Sequence, residues 1–104
     1  MDTFSVVAEP NRRLLLDALL TGPQSVNALV DQMEMSQPVV SKHLKILKEA
    51  GFVSVTPRGQ QRLYCINPEP LRELSQWLAP YLHFWNNKLN ELEAHLDNDK
   101  QVPE

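Results

Sequence analysis

One cysteine, three glycines and no long apolar run narrow what this chain can be before any motif is considered. Cys65 alone can close no disulfide within the chain and cannot build a zinc site, so a reducing cytoplasm is the expected environment. It falls in a predicted strand, where a buried, inert thiol is the ordinary state. Met1-Asp2-Thr3-Phe4 supplies no basic segment ahead of an apolar stretch, so no secretory signal is expected. No apolar run approaches the ~20 residues that a membrane-spanning helix needs. Phosphate-binding glycine loops, a His-Glu-x-x-His zinc motif and any nucleophile motif are also missing, so neither an enzyme nor a cofactor is expected.

What is present fits one domain. The chain has 104 residues, and a domain of this size is marginal as a monomer, which dimerisation would relieve. The domain is expected over 1–97, followed by a polar, disordered tail over 98–104. The net charge is −3, but it is unevenly spread. From Met35 to Ile66 there are five basic residues and one acid, while both flanks are net acidic. A local basic patch matters more than the total for meeting a polyanion.

The pattern predicts mainly helices with a small hairpin. A short helix is expected around Thr3–Ala8. Pro10 then suits the first turn of a second helix, ended by Thr21-Gly22-Pro23. The run Leu14–Leu20 is apolar on nearly every side and so predicts a central, buried helix. Ser25 caps a third helix from Val26 to about Met33, and Ser36 caps a fourth that runs through Ala50 and stops at Gly51. Phe52–Thr56 and Gln61–Ile66 have strand composition, with Pro57-Arg58-Gly59-Gln60 as the loop between them. Asn67-Pro68-Glu69-Pro70 opens a long C-terminal helix that Pro80 should kink or divide. Two short helices joined by a tight turn and followed by a basic hairpin describe a winged helix-turn-helix, α-α-α-α-β-β-α.

On a helical wheel the fourth helix divides in two. Val39, Val40, His43, Leu44, Ile46 and Leu47 fall on one side; Gln37, Pro38, Ser41, Lys42, Lys45, Lys48 and Glu49 fall on the other. Short hydrogen-bonding side chains near the N-terminus can reach base edges, and lysines further along can meet phosphates. Gln37 suits an adenine edge and Ser41 either kind of base edge. Ser36 and the helix N-terminus can hold a phosphate. Arg58 and Arg62, around Gly59, place cations on the adjoining loop for backbone or minor groove. A solvated lysine face is the plain alternative for the helix taken alone. His43 lies at the edge of the apolar side and is expected to pack or bond a phosphate rather than read a base.

The segments Ala8–Leu16, Ser36–Val53 and Gly59–Tyr64 resemble the opening helix, the recognition helix with its following turn, and the wing of the ArsR/SmtB family of bacterial repressors. The resemblance spans about Phe4 to Leu96. It implies a homodimer that represses its promoter, often its own, and answers a signal, with an unidentified small-molecule inducer as one form of it; a dimer that presents two recognition helices to double-stranded DNA would match half-sites about one helical turn apart in an inverted-repeat operator. It also implies that Gln37, Ser41, Lys42 and Lys45 face the major groove. One departure is plain: the family's founding members sense metals through a cysteine pair before the turn, and Asn27–Met33 has none, so thiolate sensing is not expected.

Leu78, Leu82, Trp85, Leu89, Leu92 and Leu96 recur at spacings of four and three, an a/d seam that predicts the dimer contact, together with the N-terminal helix. Trp77, Tyr81, Phe84 and Trp85 cluster around Pro80 and are expected as core, with a pocket between subunits as the alternative. A zinc-responsive repressor using His83, Glu91, Glu93 and His95 is a second alternative. His83 and His95 are about 18 Å apart along one helix, so only an intersubunit site could use both. A winged-helix module that binds protein instead of DNA is a third.

Overall fold

A computed structural model describes residues 1–101, with side chains through Leu96. The polar tail expected at 98–104 lies outside the described side chains. The chain forms two units, residues 1–74 and 75–104.

The first unit opens with helices α1 (Thr3–Ala8) and α2 (Pro10–Leu19). Asp2 caps α1 by accepting the Ser5 N–H at 2.7 Å, and this bond holds its carboxyl below the ordinary 3.8. Glu9 caps α2, accepting the N–H groups of Asn11 and Arg12 at 2.7 and 3.2 Å. The end of α1 is held by guanidinium groups rather than by a glycine. Arg12 Nε donates to the Val6 carbonyl at 2.7 Å and its Nη2 to Ser5 at 3.2 Å, while Arg13 Nη1 donates to Val7 at 2.7 Å. Arg12 is buried, and these bonds satisfy carbonyls that a helix C-terminus otherwise leaves without partners.

Only one side of α2 is buried. Leu15, Leu16 and Leu19 enter the core, whereas Leu14 is 50% and Leu20 75% exposed. The fully buried helix expected over Leu14–Leu20 is therefore amphipathic.

Strand β1 (Gln24–Ser25) leads into α3 (Val26–Gln32), capped by Ser25 Oγ on the Ala28 N–H at 3.2 Å. Helix α4 (Gln37–Glu49) follows, with Ser36 as its cap. Its end is a Schellman motif: Phe52 N–H bonds the Leu47 carbonyl at 2.9 Å and Gly51 N–H bonds Lys48 at 3.0 Å. Gly51 takes φ +81°, a conformation that costs glycine no Cβ clash, and Phe52 and Leu47 are both fully buried.

Strands β2 (Val53–Arg58) and β3 (Gln61–Ile66) pair antiparallel, with Arg58 opposite Gln61. Pro57 and Arg58, expected in the loop, belong to β2, and only Gly59 and Gln60 turn. Gly59 has φ +62° and Gln60 does not have positive φ, the pattern of a type II′ hairpin. β1 adds to the other edge of β3, giving the order β1-β3-β2 where two strands were expected. β2 is thus an edge strand, which is where a proline is tolerated.

Val6, Leu15, Leu16, Leu19, Leu29, Val40, Leu44, Leu47, Phe52 and Val53 form one core, with Leu71 and Leu74 packed against it. Helix α5 (Glu69–Gln101) begins in this unit and continues through the second. Pro80 lies inside it without dividing it. In the second unit every described side chain from Ser75 to Leu96 is exposed. The aromatic residues Trp77, Tyr81, Phe84 and Trp85, expected as core, are 54–62% exposed.

Candidate nucleic-acid interface

The core fixes which side of α4 faces out. Val40, His43, Leu44 and Leu47 are buried, so Ser36, Gln37, Pro38, Ser41, Lys42, Lys45 and Lys48 are all exposed. At ~100° per residue, Gln37 through Lys48 on that side span an arc of about 140°. Among the described residues no carboxylate pairs with Lys42, Lys45 or Lys48, and Glu49 is the one acid on α4. The cations are therefore available to a polyanion.

His43 is not part of that face. The residue is 8% exposed, Nε2 lies 3.9 Å from Glu9 Oε2, and Nδ1 has no hydrogen-bond partner among the described residues. The ring thus packs between the lysine-bearing helix and the cap of α2, as its place at the edge of the apolar side predicts. The sequence reading missed Glu9 here; an acid directly before Pro10 at a helix start was the available signal.

The wing brings its two arginines together in sequence but not on one face. Arg58 pairs across the hairpin with Gln61, and Arg62 with Pro57. Cross-strand partners share a face and successive residues alternate, so Arg58 and Arg62 point to opposite faces of the hairpin. Both are exposed. Arg62 lies on the face that carries Tyr64 and Ile66 towards the core and, with Ser25 and Asn27, borders a small groove.

Thiolate metal chemistry does not fit this chain. α3 contains no cysteine, and Cys65 Sγ lies 3.0 Å from Ser54 Oγ on the neighbouring strand. Among the described residues no three His, Cys, Asp or Glu side chains gather; His83 Nε2 lies 3.4 Å from Asn87 Nδ2 on its own helix. No described helix is long and apolar enough to cross a membrane.

A helix-turn-helix with a β-wing and an exposed lysine side on its second helix defines a winged helix-turn-helix regulator. Residues 9–55 match the family described as bacterial regulatory protein, arsR family. The transcriptional repressor SdpR of Bacillus subtilis (strain 168) is 30% identical over 85% of this chain and 98% of its own length. A crystal structure of a possible transcriptional regulator for arsenical resistance superposes with a TM-score of 0.69 at 37% identity, covering 91% of this chain and 96% of the other. The solution structure of a homodimeric winged helix-turn-helix DNA-binding domain from Mycobacterium bovis, a possible ArsR-family regulator, gives 0.63 at 27% identity over 75% of each chain. The chain belongs to the ArsR family, whose members are transcriptional regulators and not enzymes.

Proposed function

We propose that this chain is a homodimeric, cytoplasmic transcriptional repressor that places α4 in the major groove of an inverted-repeat operator. The observation that carries the proposal is the outward face of α4: Gln37 and Ser41 at its N-terminal end, with Lys42, Lys45 and Lys48 behind them and, among the described residues, no acid paired to any of the three. Gln37 and Ser41 read base edges; the lysines bond phosphates on either side of the groove. Ser36 and Pro38 border the same end of the helix and fix its approach. Arg58 and Arg62, on opposite faces of the wing, straddle the adjacent backbone, so one arginine serves the groove that the wing meets and the other a phosphate beyond it.

The dimer forms through Leu78, Leu82, Trp85, Leu89, Leu92 and Leu96. All six are exposed, and an apolar stripe of this length on a soluble chain marks an interaction surface. A two-fold dimer presents two copies of α4, and half-sites about one helical turn apart match them.

Duplex binding followed by fluorescence anisotropy at several salt concentrations tests the assignment. Lys45→Ala should weaken binding to every sequence and lower the log–log salt slope by about one per contacting copy. Gln37→Ala should leave that slope alone and relax preference at one base position by about 1–3 kcal/mol. Identical effects of the two changes on operator and random duplex would refute the division of roles.

A further inference from the structure

Where the pairing of β1 with β3 ends, the sheet and the helix-turn-helix enclose a small polar groove. Ser25 pairs with Leu63, and the chain then leaves the sheet to begin α3. The next outward residue of β3, Arg62, is therefore flanked by the first turn of α3 rather than by a strand. Ser25, Val26 and Asn27 form one wall of the groove, and Gln60, Gln61 and Arg62 form the other. It measures about 170 Å³, below the ~300–1,000 Å³ of sites that enclose a drug-sized ligand.

The chemistry of these walls has one sign. No carboxylate lines the groove, and the acid of α3, Asp31, stands a turn beyond Asn27. Ser25 Oγ is engaged by the Ala28 N–H. Alternation along β3 sends the Gln61 side chain to the face of Arg58, away from Arg62. The Arg62 guanidinium and the Asn27 carboxamide are left, both exposed and both without a hydrogen bond or ion pair among the described residues. A guanidinium donates only, and its planar fork matches an anion with several oxygens. An amide N–H group beside it adds a donor of the same kind. Phosphate is the anion of that form which duplex DNA presents along its outside.

We infer that Arg62 and Asn27 clasp one backbone phosphate of the operator between the first helix of the helix-turn-helix and the wing. The inference rests on the DNA-binding reading above and divides the labour of the wing's two arginines. Arg62 is the phosphate contact, and Arg58, on the other face of the hairpin, serves the minor groove. The two walls come from distant parts of the chain, so one phosphate ties the wing to the helix that precedes α4. Such a contact positions the protein on the duplex and carries no base preference of its own.

Anisotropy titrations of the full chain against an A·T-rich and a G·C-rich duplex, each at several salt concentrations, test this. Arg62→Ala should weaken binding to both duplexes alike, by roughly tenfold per contacting copy, and lower the log–log salt slope by about one per copy. Asn27→Ala should weaken both by about threefold to tenfold and leave the slope unchanged, since a neutral donor displaces no counterion. Arg62→Lys should keep the slope and recover only part of the affinity, because a single ammonium replaces the fork. Arg58→Ala should instead reduce the preference for the A·T-rich duplex. An Arg62→Ala variant that alters this preference, or an Arg58→Ala variant that does not, overturns the division of the arginines. If the Arg62 and Asn27 variants bind as the parent does while Lys45→Ala weakens binding, the clasp fails and the reading of α4 stands. If Lys45→Ala also leaves binding intact, both fail.

Discussion

Two leucine-rich stretches of this chain treat their apolar side chains in opposite ways. Between Val6 and Val53, ten of them are buried together. Between Ser75 and Leu96, every described side chain is exposed, including the five leucines and one tryptophan of the seam. The local patterns are alike, since both stretches are amphipathic helices. The difference is what else the chain supplies. The first stretch is interrupted by caps, turns and a sheet that bring its helices back on one another. The second is one uninterrupted helix, and a single helix cannot bury its own stripe. A stripe of that kind calls for another surface.

The contrast can be broken most severely at Leu44, which is fully buried. Leu44→Ala should lower unfolding stability by about 2–5 kcal/mol in urea titration, the range for a core leucine. Leu89→Asp should behave in the opposite sense. At concentrations where the chain is monomeric, its stability should stay within about 0.5 kcal/mol of the parent. Its operator affinity should nevertheless fall roughly 100-fold, the low end of what bivalent engagement contributes. A large loss of monomer stability would show that the seam belongs to the chain's own core. Ser36→Ala removes a cap whose Oγ accepts the Val39 N–H at a long 3.4 Å. Its cost should lie at the lower end of the usual range, about 0.5 kcal/mol, measured by thermal unfolding.

The smallest effect concerns Asp2. Its carboxyl is depressed by the Ser5 N–H bond, so the folded form favours the carboxylate. That contribution is fully present above the ordinary 3.8 and is lost as pH falls through the lower folded value. Hydrogen exchange at the Ser5 amide should therefore accelerate, relative to Leu44, only on acidification below that point, and Asp2→Asn should flatten the dependence.

Much of this was legible because the chain marks its own helix ends. Ser25, Ser36 and Gly51 act within four residues of themselves, and the helices they bound fell where expected. The outward placement of Gln37, Ser41 and Lys45 followed from periodicity alone. What escaped was non-local. Gln24 and Ser25 have no strand composition and become β1 only because Tyr64 and Leu63 pair with them. Pro57 is a loop signal that an edge strand overrides. Pro80 removes the N–H that would bond the Gln76 carbonyl, but Gln76 is exposed to water, and the helix continues. The opposite facing of Arg58 and Arg62 depended on a hairpin register set by Gly59. His43 packs inward as its periodicity predicts, but its approach to Glu9, thirty-four positions earlier, is non-local.

The guanidinium of Arg12 carries a consequence for what this position tolerates. Helix α1 has only six residues, far below the length at which a helix holds in water by itself. Its last turn is clasped by a planar fork that meets two successive carbonyls at once. A lysine there keeps the charge but offers a single ammonium in place of the fork. This interior site therefore admits arginine almost alone, and an N-terminal deletion or fusion that unwinds α1 strands a cation among leucines.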